Sequence, residues 1–117
     1  MKNTMFRSLV LATVLSVSSL MAFADGSKEV FLSQSPVVSG VKLDVGAYRI
    51  NWKNHSPEAT VTFSKKGTVL TTIEGVVEDR AEKSRHDSVI FVSNADGTVA
   101  IKEIRFAGKR QVLVFNQ

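Results

Sequence analysis

Cysteine is absent from the 117 residues, which excludes disulfides, thiolate zinc sites, a cysteine nucleophile and an acyl anchor on cysteine. Histidine occurs only twice, and no Gly-x-Ser-x-Gly motif, metal-binding histidine pair on a helix or glycine-rich phosphate loop is present. The chain length allows one domain, and a hydrophobic content of 44% is ordinary for a globular protein. The sequence therefore predicts one small domain that is held together by packing alone.

The N-terminal segment has the three parts of a secretory signal peptide. Two basic residues come first, the stretch 9–17 is mostly apolar, and Ala-Phe-Ala at 22–24 is the small-x-small pattern that signal peptidase cuts. We predict a signal peptide over 1–24 and a single all-β domain over 25–117. Serine and threonine interrupt the apolar stretch, so an uncleaved anchor helix is the weaker alternative. The predicted location is exported, either periplasmic or extracellular, without stable membrane insertion after cleavage.

Removal of this leader changes the charge balance of the chain. Lys2 and Arg7 leave with it, so 13 of the 15 basic residues remain against 11 acidic ones, a net charge of +2. This small excess gives no electrostatic argument for a nucleic-acid partner. The basic pairs at 65–66 and 109–110 flank expected turns. Solvated turns are the simpler interpretation of these pairs, and a contact for an acidic polymer is the alternative.

The composition beyond the leader favours β-structure. It holds fourteen valines, five isoleucines and six threonines, against four leucines and six alanines. Branching at Cβ restricts a side chain in a helix but suits the pleated surface of a sheet. Within 46–53, Tyr48, Ile50 and Trp52 alternate with polar residues, and 59–64 alternates in the same way. This period of two predicts strands with one face in water.

Turn residues divide these apolar runs at short intervals. Tight turns are expected at 65–67 and 108–109 and a four-residue turn at 94–97, each joining strands that are neighbours in sequence. We predict an antiparallel meander of about eight short strands, closed into a small barrel or folded as a two-sheet sandwich. Short strands with polar outward faces disfavour an outer-membrane barrel. The predicted strands cover 29–34, 36–39, 41–44, 46–53, 59–64, 68–73, 87–93, 98–106 and 110–116.

Three segments depart from simple alternation. The run 89–92 is apolar on both sides, which predicts a central strand covered on both faces. The phase slips between Ile101 and Ile104, and a β-bulge at 102–103 would return both to one face. A charged residue at such a bulge is expected to pair, either as a structural element or as a ligand contact. The charged stretch 74–87 is predicted as an extended surface loop with at most one helical turn.

The two histidines are the starting point of any catalytic or metal site in this chain. A metal site would combine them with nearby carboxylates, namely His55, Glu58, His86 and Asp87. A local Ser88–His86–Asp87 triad cannot converge, because adjacent residues of an extended chain point to opposite sides. Exposed turn histidines are the simpler interpretation. We predict no catalytic residue, no metal and no cofactor, and keep a metal-dependent or hydrolytic enzyme using His55 or His86 as the last alternative.

Tyr48 and Trp52 are the aromatic residues with polar atoms beyond the leader. Packing in the core with the polar end at its rim is the simpler interpretation of this pair. The alternative is a small barrel that binds an apolar ligand at its mouth, with Tyr48, Trp52 and Arg105 as the ligand-binding residues.

Several strand and turn segments resemble a known pattern. The segments P-V at 36–37, G-V-K-L at 40–43 and G-A-Y-R-I-N-W at 46–52 resemble V-x-V-x-G-x-x-L-x-x-G-x-Y-x-V-x-W, and A-T-V-T-F at 59–63 and K-E-I-R-F-A-G-K at 102–109 extend it. Together they resemble a family of small, mostly uncharacterised exported all-β proteins of soil bacteria. The resemblance implies an exported all-β domain. The family has no established catalytic residues, so the resemblance assigns no site residue.

The sequence thus predicts an exported, non-catalytic β-domain that acts by binding or as a structural component of the cell envelope. Besides the apolar-ligand barrel and the enzyme, a third alternative is a module that docks another protein through an edge strand or through the 74–87 loop. The partner is therefore a small apolar ligand or a protein, and the sequence does not choose between them.

Overall fold

The computed structural model describes residues 23–116. Residues 1–22 hold most of the predicted signal peptide and lie outside the described residues, as does Gln117. Residues 23–116 form β-strands joined by turns and loops and contain no helix, which confirms the all-β prediction. A helix long and apolar enough to cross a membrane is accordingly not found in this range.

Seven strands form one antiparallel sheet that curls into a half-barrel, and two short strands form a separate hairpin. The sheet order is β1-β4-β5-β6-β9-β8-β7, so two three-stranded meanders, β4–β6 and β7–β9, meet at a β6–β9 ladder. The strands are β1 Gly26–Leu32, β2 Val37–Val38, β3 Val41–Lys42, β4 Gly46–His55, β5 Glu58–Lys65, β6 Thr68–Asp79, β7 Ser88–Ser93, β8 Val99–Arg105 and β9 Gln111–Val114.

The core lies on the concave face of this sheet. Apolar and polar residues alternate along the strands, and this alternation determines which side chains reach the core. Ile50 on β4 is directly opposite Phe63 on β5, and both are fully buried. The intervening residues, such as Asn51, face outward and are exposed. Each fully buried large apolar side chain contributes about 1.5–3 kcal/mol relative to an exposed one. The alternation predicted for 46–53 and 59–64 is therefore confirmed.

The β2–β3 hairpin covers the core on the side of β6 and β8. Val38 is fully buried and Leu43 nearly so. Thr71 Oγ1 donates a hydrogen bond to the Val38 carbonyl at 3.0 Å, and Ser39 Oγ donates to the Thr72 carbonyl at 2.7 Å. The hairpin is thus attached to β6 by both apolar packing and hydrogen bonds.

Two hairpin turns require left-handed backbone. Ser39 and Gly40 have φ of 49° and 80°, and Lys66 and Gly67 have φ of 51° and 81°. Positive φ at both central residues is typical of the two-residue turns that match the twist of antiparallel strands. The turn predicted at 65–67 is confirmed.

The predicted bulge in β8 is also confirmed. β8 holds one extra residue, Lys102, opposite the step from Ile90 to Phe91 on β7. Ile101 and Ile104, three positions apart, therefore both join the core cluster.

Two predictions about strand placement are wrong. The run 89–92 belongs to β7, which lies at an edge of the sheet and is only partly buried. The residues on its outer face are apolar, and within residues 23–116 no second sheet covers them. The charged stretch 74–87 is not a loop throughout, because β6 continues to Asp79 and pairs with β9. Only 80–87 is a connection, and it contains no helical turn.

Candidate functional site

Three aromatic rings meet at one end of the half-barrel core. Phe23 precedes β1, Trp52 lies on β4, and Phe106 follows β8. The ring centroids of Trp52 and Phe106 are 4.7 Å apart, and Phe23 lies 5.9 Å from Trp52 and 6.5 Å from Phe106. All three side chains are buried. We call Phe23, Trp52 and Phe106 the aromatic cluster.

Polar groups fix the position of the chain segment that carries Phe23. Trp52 Nε1 donates a hydrogen bond to the Ala24 carbonyl at 3.0 Å, and Asn54 Nδ2 donates to the Phe23 carbonyl. The Asn54 backbone N–H donates to Asp25 Oδ1 at 2.7 Å. Lys109 Nζ lies 5.5 Å from the centroid of the Phe23 ring, within the range of a cation–π contact. The 23–25 segment is therefore held by main-chain, aromatic and cationic contacts.

Two members of this arrangement carry no signal in the sequence that places them there. Phe23 falls inside the predicted leader, which removes it from any consideration of the core. Asn54 falls in a polar segment that indicates a turn, although β4 continues through it to His55. Trp52 is the member of the cluster that the alternation within 46–53 places in the core.

Gly26 allows the Trp52 ring to lie flat against β1. The two residues are directly opposite each other in the β1–β4 ladder. A Cβ on Gly26 would lie 2.4 Å from Trp52 Cζ2, which is closer than van der Waals contact permits. The absence of a Cβ on Gly26 therefore leaves the space that the Trp52 ring occupies.

Gly26→Ala is expected to displace the Trp52 ring and to lower the free energy of unfolding by about 1–3 kcal/mol, the usual cost of overpacking a core. Trp52 is the single tryptophan, so its fluorescence spectrum and urea unfolding together report the change. Ser27→Ala, at the exposed neighbouring position, is the control and should leave both unchanged. Equal effects of the two substitutions would show that the Gly26–Trp52 contact does not constrain the fold.

Tyr48 lies on the same inner face as Trp52 but uses its polar end elsewhere. Its hydroxyl donates to the Asp44 carbonyl at 2.6 Å, and Lys65 Nζ lies 4.7 Å from its ring centroid. Burial, and secondly the charge of Asp44, raise the pKa of this hydroxyl. Tyr48 is therefore a buried, hydrogen-bonded core residue at the position opposite Val30, while Trp52 is opposite Gly26.

Arg105 is engaged with a buried carboxylate. Its Nε donates to Glu103 Oε2 at 2.5 Å, and Arg80 Nη2 lies 3.4 Å from Glu103 Oε1. Glu103 is 5% exposed and lies on the face of β8 opposite to the core residue Ile104. Burial alone would raise the pKa of Glu103, but the hydrogen bonds and charges of the two arginines outweigh it and hold the pKa below its usual value. The paired charge expected at the bulge is thus Glu103. The predicted ligand-binding residues Tyr48, Trp52 and Arg105 each contact different partners and do not form one site.

The two histidines have separate surroundings. His55 Nε2 lies 3.1 Å from Glu74 Oε1 and 3.0 Å from Thr60 Oγ1, all at the surface. Asp87, next to His86, is paired with Lys28 at 2.9 Å. A hydrogen bond from the Ala107 N–H, and then Lys28, lower the pKa of Asp87. In the part of the chain that the structure describes, no three histidine or carboxylate side chains are grouped to hold a metal ion.

Compared with protein-family models, curated proteins and solved structures, the chain matches none of them. The resemblance to small exported all-β proteins of soil bacteria stays a prediction.

Proposed function

We propose that this chain is an exported, non-catalytic β-domain that acts by binding, and that the outer edge of β7 accepts an extended strand of another polypeptide. The observation that carries this proposal is the composition of an edge strand. β1 and β7 end the seven-stranded sheet, and within 23–116 each has a ladder partner on one side only. An open edge presents backbone N–H and C=O groups that a further strand can pair with.

The two edges differ in how they are protected. β1, with the sequence G-S-K-E-V-F-L, carries Lys28 and Glu29, and charges of this kind oppose pairing with another strand. β7, with the sequence S-V-I-F-V-S, carries neither a charge nor a proline. Natural proteins protect edges of this composition unless pairing is their use. β7 is therefore the edge that supports a binding role.

The accessible part of β7 is its second half. The Lys28–Asp87 ion pair brings β1 close to the start of β7. Ser88 to Phe91 are partly buried, and the burial ends at Val92, which is 43% exposed. Side chains on alternate sides of an added strand would contact Ile90 and Val92 on the outer face. A partner strand thus gains backbone hydrogen bonds together with an apolar surface.

A photo-reactive benzoylphenylalanine at position 92 tests this proposal in cells that export the protein. We expect a discrete cross-linked adduct from position 92 and none from position 51, because Asn51 is exposed but its strand β4 is paired on both sides. The mass of the adduct tells whether the partner is a second copy or a different polypeptide.

A charged substitution on β7 provides the second part of this test. Ile90→Lys places a lysine on the outer face of β7 and is expected to abolish the position-92 adduct while far-UV circular dichroism stays unchanged. An adduct that persists in this variant, or equal adducts from 92 and 51, would contradict edge binding.

A further inference from the structure

The predicted signal-peptidase cut divides a segment that is part of the core. The small-x-small pattern at 22–24 places the cut between Ala24 and Asp25. Phe23, one residue before that bond, is only 7% exposed and packs on Trp52 and Phe106. Processing at this bond would therefore remove a buried aromatic ring from the folded domain.

The same cut would leave two hydrogen-bond donors without their acceptors. Hydrolysis adds one water, which leaves a carboxylate on Ala24 and an amino group on Asp25. Trp52 Nε1 then loses the Ala24 carbonyl, and Asn54 Nδ2 loses the Phe23 carbonyl. Both hydrogen bonds are part-buried, so a ligand that supplies two acceptors would restore the contacts that the cut removes.

We propose that removal of the leader after Ala24 opens a peptide-binding slot, formed by Trp52, Phe106, Asn54 and Lys109, for a segment with one aromatic side chain and two consecutive backbone carbonyls. This site lies on the inner face of the sheet and does not depend on strand addition at β7. It gives the apolar-ligand interpretation of Trp52 a defined ligand chemistry.

Each part of the slot matches one part of the segment that occupies it here. The rings of Trp52 and Phe106 supply an aromatic wall, and Gly26 has no Cβ, which leaves room for Trp52 to lie flat. Asn54 and Trp52 donate to successive carbonyls. Lys109 places a cation above the bound ring. Aromatic character and carbonyl spacing are therefore both recognised.

The experiment exports the full chain with its own leader and first measures the mass of the purified protein. A chain that starts at Asp25 is titrated with acetyl-Ala-Phe-Ala, which reproduces residues 22–24, and binding is followed by the fluorescence of the single tryptophan, Trp52. We expect saturable binding and about tenfold to a hundredfold weaker binding of acetyl-Ala-Ala-Ala, from the apolar area of one aromatic ring.

Two variants separate this slot from general peptide adhesion. Lys109→Gln removes the cation over the ring and should weaken acetyl-Ala-Phe-Ala binding severalfold, whereas Lys66→Gln, at the β5–β6 turn, should not change it. The absence of a saturable signal at millimolar peptide overturns the proposal. A purified protein that still contains Phe23 overturns it too, because its own chain then fills the slot. Neither result bears on cross-linking from β7, so the peptide-binding slot and strand addition at β7 fail independently.

Discussion

Replacing Phe63 with alanine is expected to lower the free energy of unfolding by about 3–5 kcal/mol, a large part of the stability of a domain this small. Phe63 is fully buried on β5, opposite Ile50 on β4 and Thr71 on β6. The substitution removes most of an aromatic side chain and leaves a cavity that the surrounding sheet fills only partly. Urea unfolding followed by circular dichroism measures the loss. A variant that shows no folded baseline even without urea would also agree with the expected destabilisation.

The matched control is Phe31→Ala on β1. Phe31 is 63% exposed on the outer face, so the same chemical change there is expected to alter the free energy of unfolding by about 0.5 kcal/mol or less. Comparable losses at 63 and 31 would mean that the alternation of inner and outer faces is not what determines the core.

Removing both arginines around Glu103 is expected to lower the free energy of unfolding by about 2–4 kcal/mol at pH 7. In Arg80→Ala/Arg105→Ala the carboxylate stays buried without its positive partners. The expected loss is at the lower end of values for buried pairs, because both arginine side chains are themselves 39–42% exposed. Chemical unfolding at several pH values measures it.

The pH dependence distinguishes this loss from a simple packing defect. In the wild-type protein the pKa of Glu103 is below its ordinary value of 4.5, so its ionised form stabilises the fold above that pH, and this contribution is lost as the pH falls through the lowered pKa. In the double variant only burial remains, which raises the pKa, so the carboxyl group takes up a proton at a higher pH and the fold recovers. The difference between the two proteins should therefore be largest at neutral pH, begin to shrink as the pH falls through the raised pKa of the variant, and continue to shrink as the pH falls through the lowered pKa of the wild-type protein.

Arg49→Ala is the control for this charge pair. Arg49 is exposed and donates to Ser27 Oγ, also exposed, at 2.9 Å. Its removal is expected to change the free energy of unfolding by about 0.5 kcal/mol or less at any of these pH values. A double variant whose loss is independent of pH would show that Glu103 is not the group that responds.

The strands and turns were predictable because their determinants are local. Period two places Ile50 and Phe63 on the same face, and Lys66-Gly67 specifies a tight turn by its backbone requirements. The bulge at Lys102 was predictable for the same reason, since the slip in phase between Ile101 and Ile104 is visible in one strand. Each of these features depends on residues within a few positions of one another.

Pairing between distant segments was not predictable in this way. The apolar run of β7 has the pattern of a buried strand, but its place at the edge depends on β9 pairing with β6. The same limit applies to the aromatic cluster. Phe23 reaches Trp52 across 28 intervening positions, and nothing local to either residue shows that they meet. The ion pairs of Glu103 are partly local, as Arg105 is two residues away, while Arg80 comes from a distant loop.

The number of strands in the sheet determines the relative direction of its two edge strands. Six antiparallel steps separate β1 from β7, so these two strands run in the same direction. They cannot be joined to each other in the antiparallel manner of every other pair in the sheet. Where the two edges separate, beyond the Lys28–Asp87 ion pair, one additional strand that runs opposite to both would be antiparallel to each neighbour. The orientation of an incoming chain is thereby set by the count of strands already present.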